Sequence, residues 1–269
     1  MGAGSLQGKV AVVIGGHSGF GEAIVRRFVA EGAKVAIAAR RIDVVREAAE
    51  AVGGKGYKCD ITVDDDVAEL VAAVERDFGR IDVAVNSAGY EQSTPIAELT
   101  PEKLLPMQAV QFTGALYCMR HFGNSMAASG GGSFLSISSQ TAHSPTIGLA
   151  AYGSSKAGIE YATKIAAVEY GPKGVRFNSI AAGLIETPMT ERIFKGAPAA
   201  IRALTELTPL RHTGTPEDIA KAAYYFCSDE SSFVTGQTLS VDGGAVLHGL
   251  PTPFHYADAA RRMAEEAAQ

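Results

Sequence analysis

The chain has 269 residues, enough for one large α/β domain or two small ones. Apolar residues make up 46% and charged residues 20%, the ordinary balance of a soluble globular protein. The net charge of −5 offers no basic footprint for nucleic acid, and no apolar run is long enough to span a bilayer.

The opening stretch, "MGAGSLQGKVAVV", lacks the layout of a signal peptide. Gly2 with a later serine evokes the short pattern for N-myristoylation, which is discounted because the following residues run straight into a strand. Cys59, Cys118 and Cys227 are scattered, with no CxxC pair. They read as free buried thiols in a reducing compartment, so a cytoplasmic protein is expected.

"KVAVVIGG" (9–16) is a continuous apolar run that ends in glycines, the pattern of a strand buried on both faces. In "GEAIVRRFVAEGA" (21–33), Ala23, Ile24, Phe28 and Val29 recur at helical spacing, and Gly32 closes the run. "KVAIAA" (34–39) is the second strand. Further strands are expected at 56–60, 82–89, 132–138, 175–181 and 238–244, with amphipathic stretches at 63–78, 108–128 and 216–227. Strands that alternate with long helices predict a parallel sheet, and right-handed crossovers place helices on both of its faces. The expected architecture is an α/β, doubly wound parallel sheet of about seven strands in one domain, residues 1–248. The remainder, 249–269, has two prolines and then Ala, Glu and Arg. It reads as an extension that packs over a neighbouring subunit, packs over the substrate site, or frays.

The segment "VIGGHSGFGEAI" (13–24) joins the first strand to the first helix, with Gly15, Gly19 and Gly21 spaced G-x-x-x-G-x-G. Glycines there permit a tight turn and let a pyrophosphate approach amides at a helix N-terminus. His17, Ser18 and Phe20 lie in the same turn, His17 beside the cofactor rather than as a base. At the end of the second strand an NAD site places an acidic residue for the ribose 2′-hydroxyl. This chain has Ala39, Arg40 and Arg41. A carboxylate would repel a 2′-phosphate, whereas a guanidinium holds it with charge-assisted hydrogen bonds. NADP(H) is therefore expected, with NAD(H) the alternative.

In "AAYGSSKAG" (150–158), Tyr152 and Lys156 share a helix face at i, i+4 spacing. A free phenol ionises near pH 10, and a neighbouring ammonium favours the phenolate. Such a pair can move a proton to or from an oxygen. The small residues Gly153, Ser154 and Ala157 are expected to leave room for the cofactor, with Ile159, Ala162 and Ala166 packing the helix.

Together these stretches resemble the short-chain dehydrogenase/reductases, in their single-domain form, over residues 5–248. The resemblance rests on the glycine turn, "CDIT" (59–62), "NSAG" (86–89), "SISS" (136–139), Tyr152-x-x-x-Lys156, "AAGLIETPM" (181–189) and "VTGQTLSVDGG" (234–244). It implies an oxidoreductase that interconverts a ketone and a secondary alcohol by hydride transfer. Tyr152 would be the general acid/base, and Ser139, 13 positions earlier, would steady the substrate oxygen. Lys156 would lower the tyrosine pKa and hold the nicotinamide ribose. Asp60 and Ile61 would meet the adenine; Asn86, Ala88 and Gly89 the middle of the cofactor; Ile185 and Thr187 its carboxamide and phosphates. A homotetramer or dimer, packed through 108–128 and 152–170, is also implied.

Three positions depart from the pattern: Ile14 for a threonine, Ala182 for a proline, and Gln111 for an asparagine that supports the lysine through water. Gln111 is kept as a fourth catalytic candidate. The departures also raise a second reading, a dinucleotide-binding sensor whose catalysis has decayed. Tyr90, Glu91, Gln92, Gln140 and His143 are candidates for substrate contact. His212, His248 and His255 lack ligand partners at metal spacing, so no metal site is expected. Asp64–Asp66 reads as a helix start favoured by the dipole. The expected partners are a small-molecule ketone or alcohol and further copies of the chain, with neither nucleic acid nor membrane.

Overall fold

The computed structural model describes residues 6–247 and 253–267; Gly2 and His248 lie outside them. Seven parallel strands form one sheet: β1 (Val10–Ile14), β2 (Lys34–Ala39), β3 (Lys55–Lys58), β4 (Val83–Asn86), β5 (Gly132–Ser139), β6 (Val175–Ala182) and β7 (Thr238–Val241). Their order is β3-β2-β1-β4-β5-β6-β7. The long helices are α1 (Gly19–Ala30), α2 (Ile42–Glu50), α3 (Asp64–Phe78), α4 (Pro101–Gln108), α5 (Gly114–Ala128) and α6 (Ala150–Tyr170). Two shorter ones follow, α7 (Glu191–Gly196) and α8 (Pro198–Leu207), then α9 (Pro216–Cys227) and α10 (Pro253–Ala267).

Every residue of β1 is buried, because helices cover both faces of the sheet. The pleat sends Val10, Val12 and Ile14 to one side, where they join Leu70, Phe122 and Phe177. Ala11 and Val13 go to the other, with Ile24, Phe28, Ile219 and Phe226 from α1 and α9. Rings of Phe134 and Phe177 stack at 5.2 Å between centroids, tying β5 to β6 beneath α5 and α6.

Beyond the sequence expectation, α2, α7 and α8 appear, and the helix predicted from 108 is longer and interrupted. It starts at Pro101 and passes through a π-helical turn, Ala109–Thr113, before α5. Such a turn inserts one residue into the helical ladder and re-aims its side chains, here burying Gln111.

Winding reverses at β1, which pairs with β2 on one side and β4 on the other. The backbone parts beyond these carboxyl ends, and a crevice opens there. Over its described residues the tail is helical, and α10 docks on α8. Arg202 grips Glu266 with two bonds of 2.6 and 2.7 Å, and Ala259 is fully buried.

Candidate active site

A cavity of about 880 Å³ runs along the carboxyl ends of the strands. At one end lies the glycine turn. Gly15 has φ +78°, and a Cβ there would stand 3.0 Å from the Ser87 backbone. A Cβ on Gly21 would meet the Gly15 carbonyl oxygen at 2.2 Å. Gly21 itself stays off the cavity wall; its hydrogen lets α1 close against the turn. Ser18, the N-cap of α1, makes no side-chain cap, so the first amides of the helix remain available to an anion. His17 has a buried Nδ1 with no partner among the described residues, and its pKa is lowered by burial and then by Arg41. A cradle this tight, with an orphan polar atom beside open helix amides, fits a dinucleotide phosphate.

Gly15, His17, Ser18, Gly19 and Phe20 line this end, as do Arg40, Arg41, Asp60, Ile61, Ala88 and Gly89. Both arginines are exposed, and neither enters an ion pair within 4 Å among the described residues. Burial pushes the Asp60 carboxyl up, but hydrogen bonds from the Thr62 amide and hydroxyl, with the Arg40 charge, bring it below its ordinary value. Asn86, expected to line the cofactor, sits behind the wall. Its Oδ1 accepts from the Ala88 amide at 3.2 Å, so it shapes the loop that does face the cavity. Ile185 and Thr187 line the opposite lip.

Midway along the cavity, Ser139 ends β5, and α6 brings Tyr152 and Lys156 onto the same wall. The Ser139 hydroxyl accepts from the amide and hydroxyl of Thr141, at 3.2 and 3.0 Å, and hydrogen-bonds the Tyr152 phenol. Lys156 Nζ donates to the Ile137 carbonyl at 2.8 Å and lies 5.5 Å from the centre of the Tyr152 ring. The electrostatics correct the sequence expectation. The phenol is not acidified but pushed up to about 12, by burial first and then by the Glu91 carboxylate; the Ser139 bond opposes both. Burial pulls Lys156 down to about 8, against the pull of Glu160. At Lys156 loss of hydration outweighs the Glu160 charge, whereas at Tyr152 it acts together with the Glu91 charge.

Two further expectations change. Gly153, Ser154 and Ala157 do not line the cavity: Ser154 and Ala157 face outward, and Gly153 lets α6 approach the Thr141 carbonyl, 3.0 Å from where a Cβ would stand. Gln111 donates to the Tyr90 carbonyl, while its Oε1 is buried without a partner among the described residues. It lines the cavity but makes no bond to Lys156.

At the far end the wall comes from Tyr90, Glu91, Gln140, Leu149, Met189, Arg192, Leu204, Pro253 and Tyr256. Gln92 is not part of it, and His143 turns away from the cavity to meet Glu160. Enclosure pushes the Glu91 carboxyl up, with Arg192 acting against it. Arg192 and Tyr256 carry no motif in the sequence; only the docking of α10 on α8 brings the tail to the pocket. Asp64 is a helix start, paired with Arg120 and, at 3.0 Å, with His121. All three cysteines are buried and free.

A family model described as Enoyl-(Acyl carrier protein) reductase matches residues 14–246. The 3beta-hydroxysteroid dehydrogenase 1 of Eggerthella lenta is 37% identical, over 90% of this chain and 95% of its own. The chain is a short-chain dehydrogenase/reductase. A 3-oxoacyl-[acyl-carrier-protein] reductase of Thermotoga maritima is 35% identical over 90% of this chain and 99% of its own. The structure of a short-chain type dehydrogenase/reductase from Mycobacterium ulcerans superposes with a TM-score of 0.88 at 35% identity, covering 92% of this chain and 93% of the other. The dehydrogenase/reductase fold therefore spans nearly all of the chain. Among its described residues no helix is long and apolar enough to cross a membrane.

Proposed function

We propose that this short-chain dehydrogenase/reductase interconverts a ketone and a secondary alcohol with NADP(H). The observation that carries the reading is the convergence of Ser139, Tyr152 and Lys156 on one cavity that ends in the glycine turn and two arginines without an ion pair among the described residues. When bound, the nicotinamide supplies or accepts the hydride. Tyr152 holds a proton at its phenol oxygen and delivers it to the carbonyl oxygen as the ketone becomes an alcohol. Ser139 donates to the same oxygen and steadies its growing charge. Lys156 holds ribose hydroxyls and lends positive charge to the phenolate left behind. Because burial keeps the phenol protonated to about 12, the donor form is ready throughout the neutral range. This favours reduction in the protein's own electrostatics.

Arg40 and Arg41 support the phosphorylated cofactor, since two exposed cations face the cavity beside Ala39, where no carboxylate stands to repel a phosphate. The relatives are named for a hydroxysteroid, a 3-oxoacyl chain and D-threitol, so a hydroxyl or ketone carbon is the shared target. We also propose a homo-oligomer packed through α5 and α6, on which Leu116, Tyr161, Ile165 and Val168 are exposed. Light scattering in solution tests that assembly.

The test of the reaction is loss of NADPH absorbance with a ketone panel, including ethyl acetoacetate and cyclohexanone. A fall in turnover of about 10²–10⁴ in Tyr152→Phe is expected. A variant as fast as the parent would remove the reading, and tight NADPH binding without turnover on any ketone would favour the sensor.

A further inference from the structure

Gln140 follows Ser139 at the end of β5 and lines the same cavity. Its backbone is fixed. The Gln140 carbonyl accepts from the His143 and Ser144 amides, at 3.0 and 2.9 Å, and so closes the turn Gln140–Ala142. The residue is only 7% exposed. Yet its side-chain amide makes no hydrogen bond among the described residues, and its Oε1 is shut off from solvent without a donor. A buried amide oxygen left bare costs about 1–3 kcal/mol. Folded proteins keep such a group where something else completes it.

Gln111 shows the contrast on the same wall. Its Oε1 is also without a partner, but its Nε2 is spent on the Tyr90 carbonyl. Gln140 has both functions uncommitted, and the amide can turn about its last bond to present either one to the cavity. The charges nearby narrow the ligand. Glu91 and Arg192 line the cavity with opposite signs, and neither enters an ion pair within 4 Å among the described residues. Such a mixed pair gives no net attraction to an anion or a cation, so a neutral group suits this end. A hydroxyl is neutral and both donates and accepts; an ether or a second carbonyl only accepts and would leave Oε1 bare. The distance from the reacting carbon follows from the chain itself, since consecutive Cα atoms stand about 3.8 Å apart. The Ser139 hydroxyl and the Gln140 amide therefore serve neighbouring oxygens of one ligand.

We propose that Gln140 is a specificity-determining residue, selecting ketones that carry a hydroxyl on the carbon next to the carbonyl, and vicinal diols in the reverse direction. The proposal rests on the oxidoreductase reading for the reaction, but its subsite stands on the cavity wall alone.

The experiment compares 2-hydroxycyclohexanone with cyclohexanone, a pair that differs by one oxygen, in the full-length enzyme with NADPH. The hydroxyketone should be favoured in kcat/KM by about ten- to a hundredfold, the worth of a hydrogen bond that completes a buried amide. In Gln140→Leu that ratio should collapse toward one, whatever happens to the absolute rates. A parent ratio near one overturns the proposal, and so does a parent preference that persists undiminished in Gln140→Leu. Should that variant fail to fold, Gln140→Met takes its place under the same criterion. Ligand-observed NMR measures Kd for the same two compounds without turnover. If neither ketone is reduced with NADPH or NADH, the oxidoreductase reading falls alone. The ratio of the two Kd values in parent and variant then decides the subsite by the same rule.

Discussion

The two ends of the cavity are made of different materials. The nucleotide end is built around backbone, with side chains such as Arg40 and Asp60 at its edge: a turn where a methyl on Gly21 would lie 2.2 Å from a carbonyl, and a helix that offers uncapped amides. The far end is side chains from widely separated stretches, among them Glu91, Gln140, Arg192, Leu204 and Tyr256. A backbone site tolerates almost no substitution, because the chain itself must move, and it binds what every such turn binds. A side-chain site can be rewritten one residue at a time. On the proposed reading, the first end would hold the cofactor and the second would select the substrate.

The contrast is sharpest at Gly21. Gly21→Val should abolish NADPH binding by fluorescence titration and lower Tm, whereas Tyr256→Phe should leave both unchanged; a Gly21 variant that binds normally would break the distinction. At the seam, Tyr152→Phe should cost about 10²–10⁴ in kcat at unchanged NADPH affinity, since it removes only the proton. Arg40→Ala with Arg41→Ala should weaken NADPH by about ten- to a hundredfold, from loss of charge-assisted bonds, and leave NADH nearly untouched. Equal loss for both cofactors would show that the arginines do not read the phosphate.

A pH profile probes the seam as well. Lys156 sits near 8, below an ordinary lysine, so it is charged below that pH and neutral above it. Reduction should be level from pH 6 to about 7.5 and decline beyond about 8, while the phenol, near 12, stays protonated throughout. A profile that instead rises through pH 8 would show that the neutral lysine is the active form. The smallest effect is expected at the far end. Arg202→Ala, which unties α10 from α8 at Glu266, should raise KM for ketones a few-fold at constant NADPH affinity, measured by steady-state kinetics.

Much of the molecule could be read from residues in order. The alternating faces of β1, the glycines of the turn, and the i, i+4 pair of Tyr152 and Lys156 are local patterns, and each survived folding. Errors arose where direction mattered more than spacing. His143 follows Ser139 closely, yet the turn after β5 points it toward Glu160. Gln111 lies in a helix whose period was legible, but a π turn re-aimed it. Tyr152 stands beside a cation as expected, yet burial rather than charge governs its proton.

From the sequence alone came the doubly wound sheet, its turn for a dinucleotide and the three polar groups facing it, because backbone geometry and helical period act over a few residues. The tertiary structure alone decided that α10 walls the pocket, that Glu160 is buried against Ser138 and His143, and that Asn86 and Gly21 work from behind the surface. Those facts depend on which distant segments meet and which way each side chain turns, and neither leaves a periodic trace along the chain.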